Sequence, residues 1–171
     1  MNKLPEKLKG FALYVEGRGY AGRCSEVTLP KLTRKTEDYQ AGGMDGPVEI
    51  DMGVEKLTMS YVLEEYNPDI IKLWGITKVD GQGIRIKGSV KADDRSGDEI
   101  PLEIIARGRN TEMDPGAWKK GDGASMKVQV ALTEVEIIYN GESILHNSIL
   151  DSVDRAGDED RLASRRKNLG Y

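Results

Sequence analysis

The sequence predicts a mainly β chain: an antiparallel β-sandwich or barrel with one short packed helix and a C-terminal helix. Three observations lead there. Apolar residues recur at every second position over most of the chain, the period of a half-buried strand. Glycine is abundant, 20 residues in 171, and falls between the alternating runs where tight turns are needed. Helical spacing occurs in two short places only, after Asn67 and after Asp158. With no internal repeat and no linker, residues 1–171 read as a single domain.

Phe11, Leu13 and Val15 alternate and are followed by a turn at Gly17-Arg18-Gly19. A short strand through Cys24 to Leu29 is stopped by Pro30, which cannot donate to a ladder. Residues 30–47 show no clean period and carry Gly42-Gly43 and Gly46-Pro47, so they read as one extended loop. Residues 48–66 read as one long strand that changes face. Val48, Ile50, Met52 and Val54 are even, whereas Leu57, Met59, Tyr61 and Leu63 are odd, with the flip at Glu55–Lys56. Asn67 then suits an N-cap, Pro68 the first helical position and Gly75 a stop, which predicts a helix packing through Ile70, Leu73 and Trp74.

Ile84, Ile86 and Val90 alternate with Arg85, Lys87 and Lys91. Asp94 to Asp98 predicts a hairpin turn into a strand with Ile100, Leu102, Ile104 and Ala106. Asp114-Pro115-Gly116 and Gly121-Asp122-Gly123 bracket a turn-rich loop around Trp118. Met126 to Leu132 are apolar on even positions and Val135 to Tyr139 on odd ones, a second long strand with a parity flip. Asn140-Gly141 is the strongest hairpin signal in the chain. From Asp158 onward acids precede Arg165, Arg166 and Lys167, the order that suits a helix dipole, with Gly170 beyond the end. The count is about seven strands.

Composition removes several function classes. One Cys excludes an intrachain disulfide, and one His with one Cys excludes the usual zinc clusters, so no catalytic, cofactor or metal residues are assigned. The longest uncharged stretches are too short to span a bilayer, and the apolar run Phe11 to Val15 is too short for a signal peptide, which predicts synthesis in a cytoplasm. A net charge of −4 gives no basic footprint for nucleic acid. Residues 1–44 hold 8 Lys/Arg against 5 Asp/Glu and residues 45–100 hold 7 against 12, an asymmetry suited to copies docking on one another.

The sequence matches to site motifs are weak. Gly17-Arg18-Gly19-Tyr20-Ala21-Gly22 fits a dinucleotide G-x-G-x-x-G but lacks the helix that must open at its third glycine, so it reads as a glycine hairpin. Asp93, Asp94, Ser96, Asp98 and Glu99 read as a solvated turn, Glu134 and Glu136 as a wet strand face, and His146 as a half-buried, hydrogen-bonded residue. The two long flipped strands would leave apolar faces uncovered in a monomer, which favours assembly with further copies.

Residues 27–53, with Thr28-Leu29-Pro30-Lys31-Leu32 and Ala41-Gly42-Gly43-Met44-Asp45, closely resemble the major tail tube protein of contractile-tailed phages and related R-type bacteriocins. The resemblance continues through Arg107-Gly108, Glu112-Met113-Asp114-Pro115-Gly116, Tyr139-Asn140-Gly141 and Asp160-Arg161-Leu162 to the Asn168-Leu169-Gly170 tail, essentially the whole chain. Gln40 and Gly46 stand where that family more usually has Arg and Ala. The resemblance implies a structural protein without catalytic residues or cofactor. Six copies would form a ring and rings would stack into the inner tube of a contractile tail, a channel for DNA in a phage or for ions or protein in a bacteriocin.

Implied partners are further copies, the tail sheath, baseplate and tail-terminator proteins, and a tape measure protein in the lumen. DNA would pass without specific binding, and this chain would not insert in a membrane. The implied location is the virion tail or bacteriocin particle, after synthesis in the host bacterial cytoplasm. The 30–47 segment is then an assembly loop, with Leu29, Pro30, Lys31, Leu32, Thr36, Tyr39, Ala41, Gly42, Gly43 and Met44 as candidate subunit-interface residues. The alternatives are the tube of a type VI-like secretion system and a monomeric ligand-binding β-barrel.

Overall fold

The computed structural model describes residues 3–94 and 96–171. Its strands, in chain order, are β1 (Lys7–Val15), β2 (Arg18–Gly19), β3 (Cys24–Thr28), β4 (Arg34–Tyr39), β5 (Val48–Val54), β6 (Leu57–Leu63), β7 (Gln82–Lys91), β8 (Ile100–Asp114), β9 (Met126–Tyr139), β10 (Glu142–Ser148), β11 (Val153–Ala156) and β12 (Glu159–Asp160). The helices are α1 (Pro68–Lys72), continued by a 3₁₀ turn at Leu73–Gly75, and α2 (Ala163–Leu169). Among the described residues ten strands join one antiparallel sheet, eight of them along the path β12-β11-β10-β9-β8-β7-β1-β2. β6 adds to the first half of β9, and β3 to β6, so the sheet folds back over itself. Strands β4 and β5 pair only with each other.

The core lies inside this fold: Leu13 and Val15 from β1, Leu57 to Leu63 alternately from β6, Ile84 and Ile86 from β7, Ile104 and Ala106 from β8, and Met126 to Val135 from β9. β9 stays in one sheet while its apolar parity flips. The reason is a bulge: Arg107 faces Glu134 but Gly108 faces Leu132, so Thr133 is the extra residue. Both halves of β9 therefore bury the same face, with Leu132 before the bulge and Val135 after it both in the core. This flip needs no second copy to explain it. A Cβ on Gly108 would lie 2.1 Å from the Ala131 carbonyl oxygen, so the bulge closes against a residue without a side chain.

The flip at Glu55–Lys56 has a different cause. Residues 48–66 are two strands in two sheets, and the chain turns a corner between β5 and β6. The segment read as a loop at 30–47 likewise holds a strand, β4, whose composition (Arg34-Lys35-Thr36-Glu37-Asp38-Tyr39) offers no apolar alternation. The short strands β2, β11 and β12 were also beyond the expected seven.

The α1 helix starts as predicted, with the Asn67 side chain accepting from the backbone N–H groups of Asp69 and Ile70. Ile70 is fully buried and Leu73 packs on the core, but Trp74 is 56% exposed. The expected packing through Trp74 is thus incorrect: the helix ends at Lys72, and the 3₁₀ turn rotates Trp74 off the helical stripe. Glu159 and Asp160 belong to β12 and not to the terminal helix, which begins at Ala163 and ends at Gly170 in the left-handed conformation. The glycine motif at 17–22 makes hairpins, with Glu16 and Gly17 both at positive φ between paired Val15 and Arg18. Asn140-Gly141 does the same between β9 and β10. Of the Asp94–Asp98 turn, Arg95 lies outside the described residues; β7 and β8 on either side are paired as a hairpin, with Val90 opposite Ile100.

Asp160 ties the tail to the sheet. It accepts from Arg166 Nη2 at 2.6 Å and from the Leu162 N–H at 3.0 Å, and these hold its carboxyl down at about 2. A depressed carboxyl pKa favours the folded state above the unfolded value near 3.8 and loses that contribution as pH falls toward 2.

Three outcomes follow from this packing. Ile70→Ala should lower stability by about 2–4 kcal/mol in urea unfolding of unassembled protein, whereas Trp74→Ala should change it by less than about 1 kcal/mol. Gly108→Ala should destabilise by at least about 2 kcal/mol in the same assay, because the methyl group meets backbone. Protection of the α2 amides, taken relative to the intrinsic exchange rate at each pH, should fall between about pH 4 and pH 2, and Asp160→Asn should show the lower protection already at neutral pH.

Candidate assembly surfaces

The β4–β5 hairpin is an arm standing off the body. Its register puts Tyr39 beside Val48 and Glu37 beside Ile50, so Tyr39, Val48, Ile50 and Met52 share one face, with Glu37 the one acid among them. All four are between 45% and 54% exposed. The opposite face pairs Asp38 with Glu49 and Thr36 with Asp51. An apolar face with no core behind it and an acidic face behind that is not the pattern of a strand stabilised within its own chain.

The tip is a tight turn. The Met44 N–H donates to the Ala41 carbonyl at 3.1 Å, Gln40 Nε2 to the Met44 carbonyl at 3.2 Å, and Gly43 sits at φ +90°, the third-position angle of a type II turn. Gly42 needs no positive φ, and a side chain there would meet open space. The candidates therefore separate. Thr36, Tyr39, Ala41, Gly42, Gly43 and Met44 lie on the arm, while Leu29, Pro30, Lys31 and Leu32 lie on the stretch that leads to it. Val48, Ile50 and Met52 complete the apolar face. Their alternation is visible in sequence, but read as part of one long strand it does not show that they stand outside the core.

At the root, the Glu55 N–H donates to the Thr33 carbonyl at 2.9 Å. Arg34 reaches across the fold: Nη2 donates to Asp154 Oδ2 of β11 at 2.7 Å, and Nη1 lies 3.4 Å from Asp51. Asp154 is buried and also accepts from Arg161 Nη2 at 3.1 Å. A carboxylate out of water is costly unless paired, and two guanidinium groups pair this one.

The second exposed apolar feature is a cleft of about 110 Å³ at the far end of the sheet, lined by Leu8 and Phe11 of β1, Val27 and Leu29 at the end of β3, and Gly88 and Leu102 of β7 and β8. The third is the outer, polar face of the sheet, where unlike charges alternate. Arg85 Nε meets Glu103 at 2.9 Å, Lys87 lies over the Tyr14 ring at 5.5 Å, and His146 Nε2 meets Glu134 at 2.8 Å. Glu136 accepts from Ser143 Oγ at 2.6 Å, and Arg155 Nη2 donates to that Oγ at 2.7 Å. Glu134 and Glu136 are thus half-buried and partnered, which corrects their reading as a freely wet face. His146 is half-buried and hydrogen-bonded as expected.

Among the described residues no group of three His, Cys, Asp or Glu could hold a metal ion. The acids around 93–99 are instead spent on separate partners: Asp93 on Lys9, Asp94 on the Leu4 N–H, and Glu99 on Ser89. Burial pushes the Cys24 thiol up, away from reactivity.

Comparison with known proteins identifies the family and the fold. The family model described as phage tail tube protein FII covers residues 5–170. The tail tube protein of Escherichia phage P2 is 34% identical over 170 residues, 98% of each chain. The major tail tube protein of Serratia phage KSP20 is 35% identical over 157 residues, 88% of this chain and 86% of its own. A chain of the sheath–tube complex of the extracellular contractile injection system PVC, in its extended state, shares the fold at TM-score 0.58 and 12% identity, over 75% of this chain and 88% of its own. A chain of the anti-feeding prophage cap does so at TM-score 0.58 and 10% identity, over 75% and 87%. The chain belongs to the phage tail tube protein family, whose members are structural and not enzymatic.

Proposed function

We propose that copies of this chain form hexameric rings that stack into the inner tube of a contractile tail, surrounded by sheath and closed by baseplate and terminator proteins. The observation that carries this reading is the arm. Its apolar face has no cover in its own chain, and a two-stranded ribbon alone in water is marginal, so it is built to be completed by another copy.

The body supports the lateral half of the reading. β2 covers only Tyr14 and Val15 of β1, and β12 covers only Arg155 and Ala156 of β11. The β1 edge is therefore open over most of its length, whereas on β11 both backbone groups of Asp154 are already taken by Asp160 and Arg161, and one open edge suits pairing with a neighbouring copy in a ring. The polar face of the sheet suits the bore. Its charges alternate in sign and partner one another, and the net charge of −4 per chain gives about −24 for six copies, which repels a polyanion at long range. DNA in a phage, or ions or protein in a bacteriocin, then passes without being gripped, as would a tape measure protein.

A ligand-binding barrel fits less well: the apolar cleft holds about 110 Å³, below the roughly 300 Å³ at which small-molecule sites begin, and the wider hollows are open and lined by charged side chains such as Arg34, Asp154 and Arg161 or Arg85, Lys87 and Glu134.

The test shortens the arm. Residues 37–50 are replaced by Asn-Gly, a two-residue turn that joins Thr36 to Asp51 in their existing register. The variant should stay folded, with a melting temperature within about 5 °C of the parent, and should form no tubes in negative-stain microscopy. Tubes of normal length would remove the arm from assembly.

A further inference from the structure

An aromatic ring left in water is ordinarily free to turn, but Trp118 is held. It lies on the loop between β8 and β9 and is 87% exposed, more than any other large apolar side chain among the described residues. Its indole Nε1 donates to the Tyr66 hydroxyl at 2.7 Å, and that hydroxyl donates in turn to the Pro115 carbonyl of the same loop. The two rings meet edge to face with centroids 6.1 Å apart. Tyr66 packs on the core and precedes Asn67, the N-cap of α1, so the clamp is rooted in the body. A large ring fixed in place has already given up the rotamer freedom that docking would cost, and such rings are the usual anchors of interfaces. Lys119 and Lys120 follow it, both exposed and neither in an ion pair among the described residues. With Tyr66 and Trp118 they border a hollow of about 270 Å³, in which Asp122 is the one acid.

We infer that Trp118, flanked by Lys119 and Lys120, is the anchor on which the Tyr39, Val48, Ile50 and Met52 face of a second copy's arm docks. Glu37 on that face and Asp45 at the tip are the carboxylates that meet the lysines. This rests on the assembly reading of the arm and names its landing place.

No part of the chain's own fold covers the ring, its own arm included. The two features leave the body at opposite ends of β6: the arm joins Leu57 through Glu55 and Lys56, and Leu63 leads on to Tyr66. The six residue steps between them span roughly 20 Å at ~3.3 Å each. An arm at one end and an anchor at the other let copies join head to tail, each junction leaving a further arm and a further anchor.

Chemistry selects the arm among the exposed apolar features. A ring beside two ammonium groups is complemented by an apolar surface that carries acids. The arm is such a surface, and neither Glu37 nor Asp45 makes an ion pair among the described residues. The apolar cleft is lined by no acid. On α1 and its 3₁₀ turn, where Ile71 and Trp74 are exposed, the one acid, Asp69, is paired with Arg18. Exposed Ile149 borders Arg165, a charge of the same sign as the lysines.

Two experiments test the landing place. Trp118→Ala, and separately Lys119→Glu with Lys120→Glu, should each cut tube yield in negative-stain microscopy by about tenfold or more, as loss of an interface anchor does. The melting temperature of each unassembled variant should stay within about 3 °C of the parent, because the altered side chains are on the surface. Adding Glu37→Lys and Asp45→Lys to the lysine-reversed chain should bring the yield back to within about threefold of the parent, since the pairing is then restored with its signs exchanged. Normal yield from either loop variant, or no recovery in the folded exchanged chain, would overturn the inference. Where a variant fails to fold, a crosslink decides. In a Cys24→Ser background, Lys120→Cys protein is mixed with Asp45→Cys protein, assembled and oxidised, and compared with a mixture containing Glu142→Cys, a site beyond the far end of β9. Disulfide heterodimers with Asp45→Cys should exceed those with Glu142→Cys by about tenfold, because the bond forms only where backbones come close; equal yields would sink the landing place. Trp118→Ala tubes that form normally but take up no sheath or terminator protein would assign the anchor to that protein, and the inference falls. Tubes from the shortened-arm chain would remove the assembly reading itself, whereas their loss beside normal Trp118→Ala tubes would remove only this landing place.

Discussion

One pair of strands has to serve two layers. β8 and β9 are 15 and 14 residues long, roughly 50 Å at ~3.3 Å per residue, more than one small core can cover. The bulge at Thr133 resolves this. It lets β9 change partners, from β6 on its first half to β10 on its second, while the apolar row stays on one side. The close approach of Gly108 to the Ala131 carbonyl sets the bend, and no residue with a side chain fits there. The doubled-back layer of β6 and β3 and the seat of α1 depend on that one irregularity.

Regular alternation carried most of the body into view. Strands with one buried and one wet face, such as β7 and β8, announce themselves by period two, and caps such as Asn67 and turns such as Asn140-Gly141 are read directly from residue chemistry. What alternation cannot reveal is where a strand goes. The parity flips at Glu55–Lys56 and near Thr133 look alike in sequence, yet one is a corner between sheets and the other a bulge within one. The difference lies in Gly108, far along the chain from Thr133, and so belongs to the pairing and not to the local sequence.

The arm was half legible. Its apolar strand β5 shows its period, but its partner β4 is polar until Tyr39 and is held by backbone pairing and by Arg34 at its root. The Arg34–Asp154 contact joins residues 120 apart, so no local pattern could announce it. Trp74 shows the converse limit. Its spacing from Ile70 fits a helical stripe, but the helix tightens into a 3₁₀ turn one residue before it, and the ring turns outward.

The acidic back of the arm has a bearing on the free protein. An exposed hairpin with an apolar face and an unpaired outer strand is a template for sheet-to-sheet aggregation. On β5, however, Glu49 and Asp51 alternate with Val48, Ile50 and Met52, and Asp38 stands opposite Glu49. Two arms that zipped together edge to edge in register would bring those carboxylates side by side at each second residue, at a cost in repulsion that apolar contact must first overcome. The carboxylates act as gatekeepers: they leave the apolar side of the arm open to a differently shaped partner surface while disfavouring pairing with another arm.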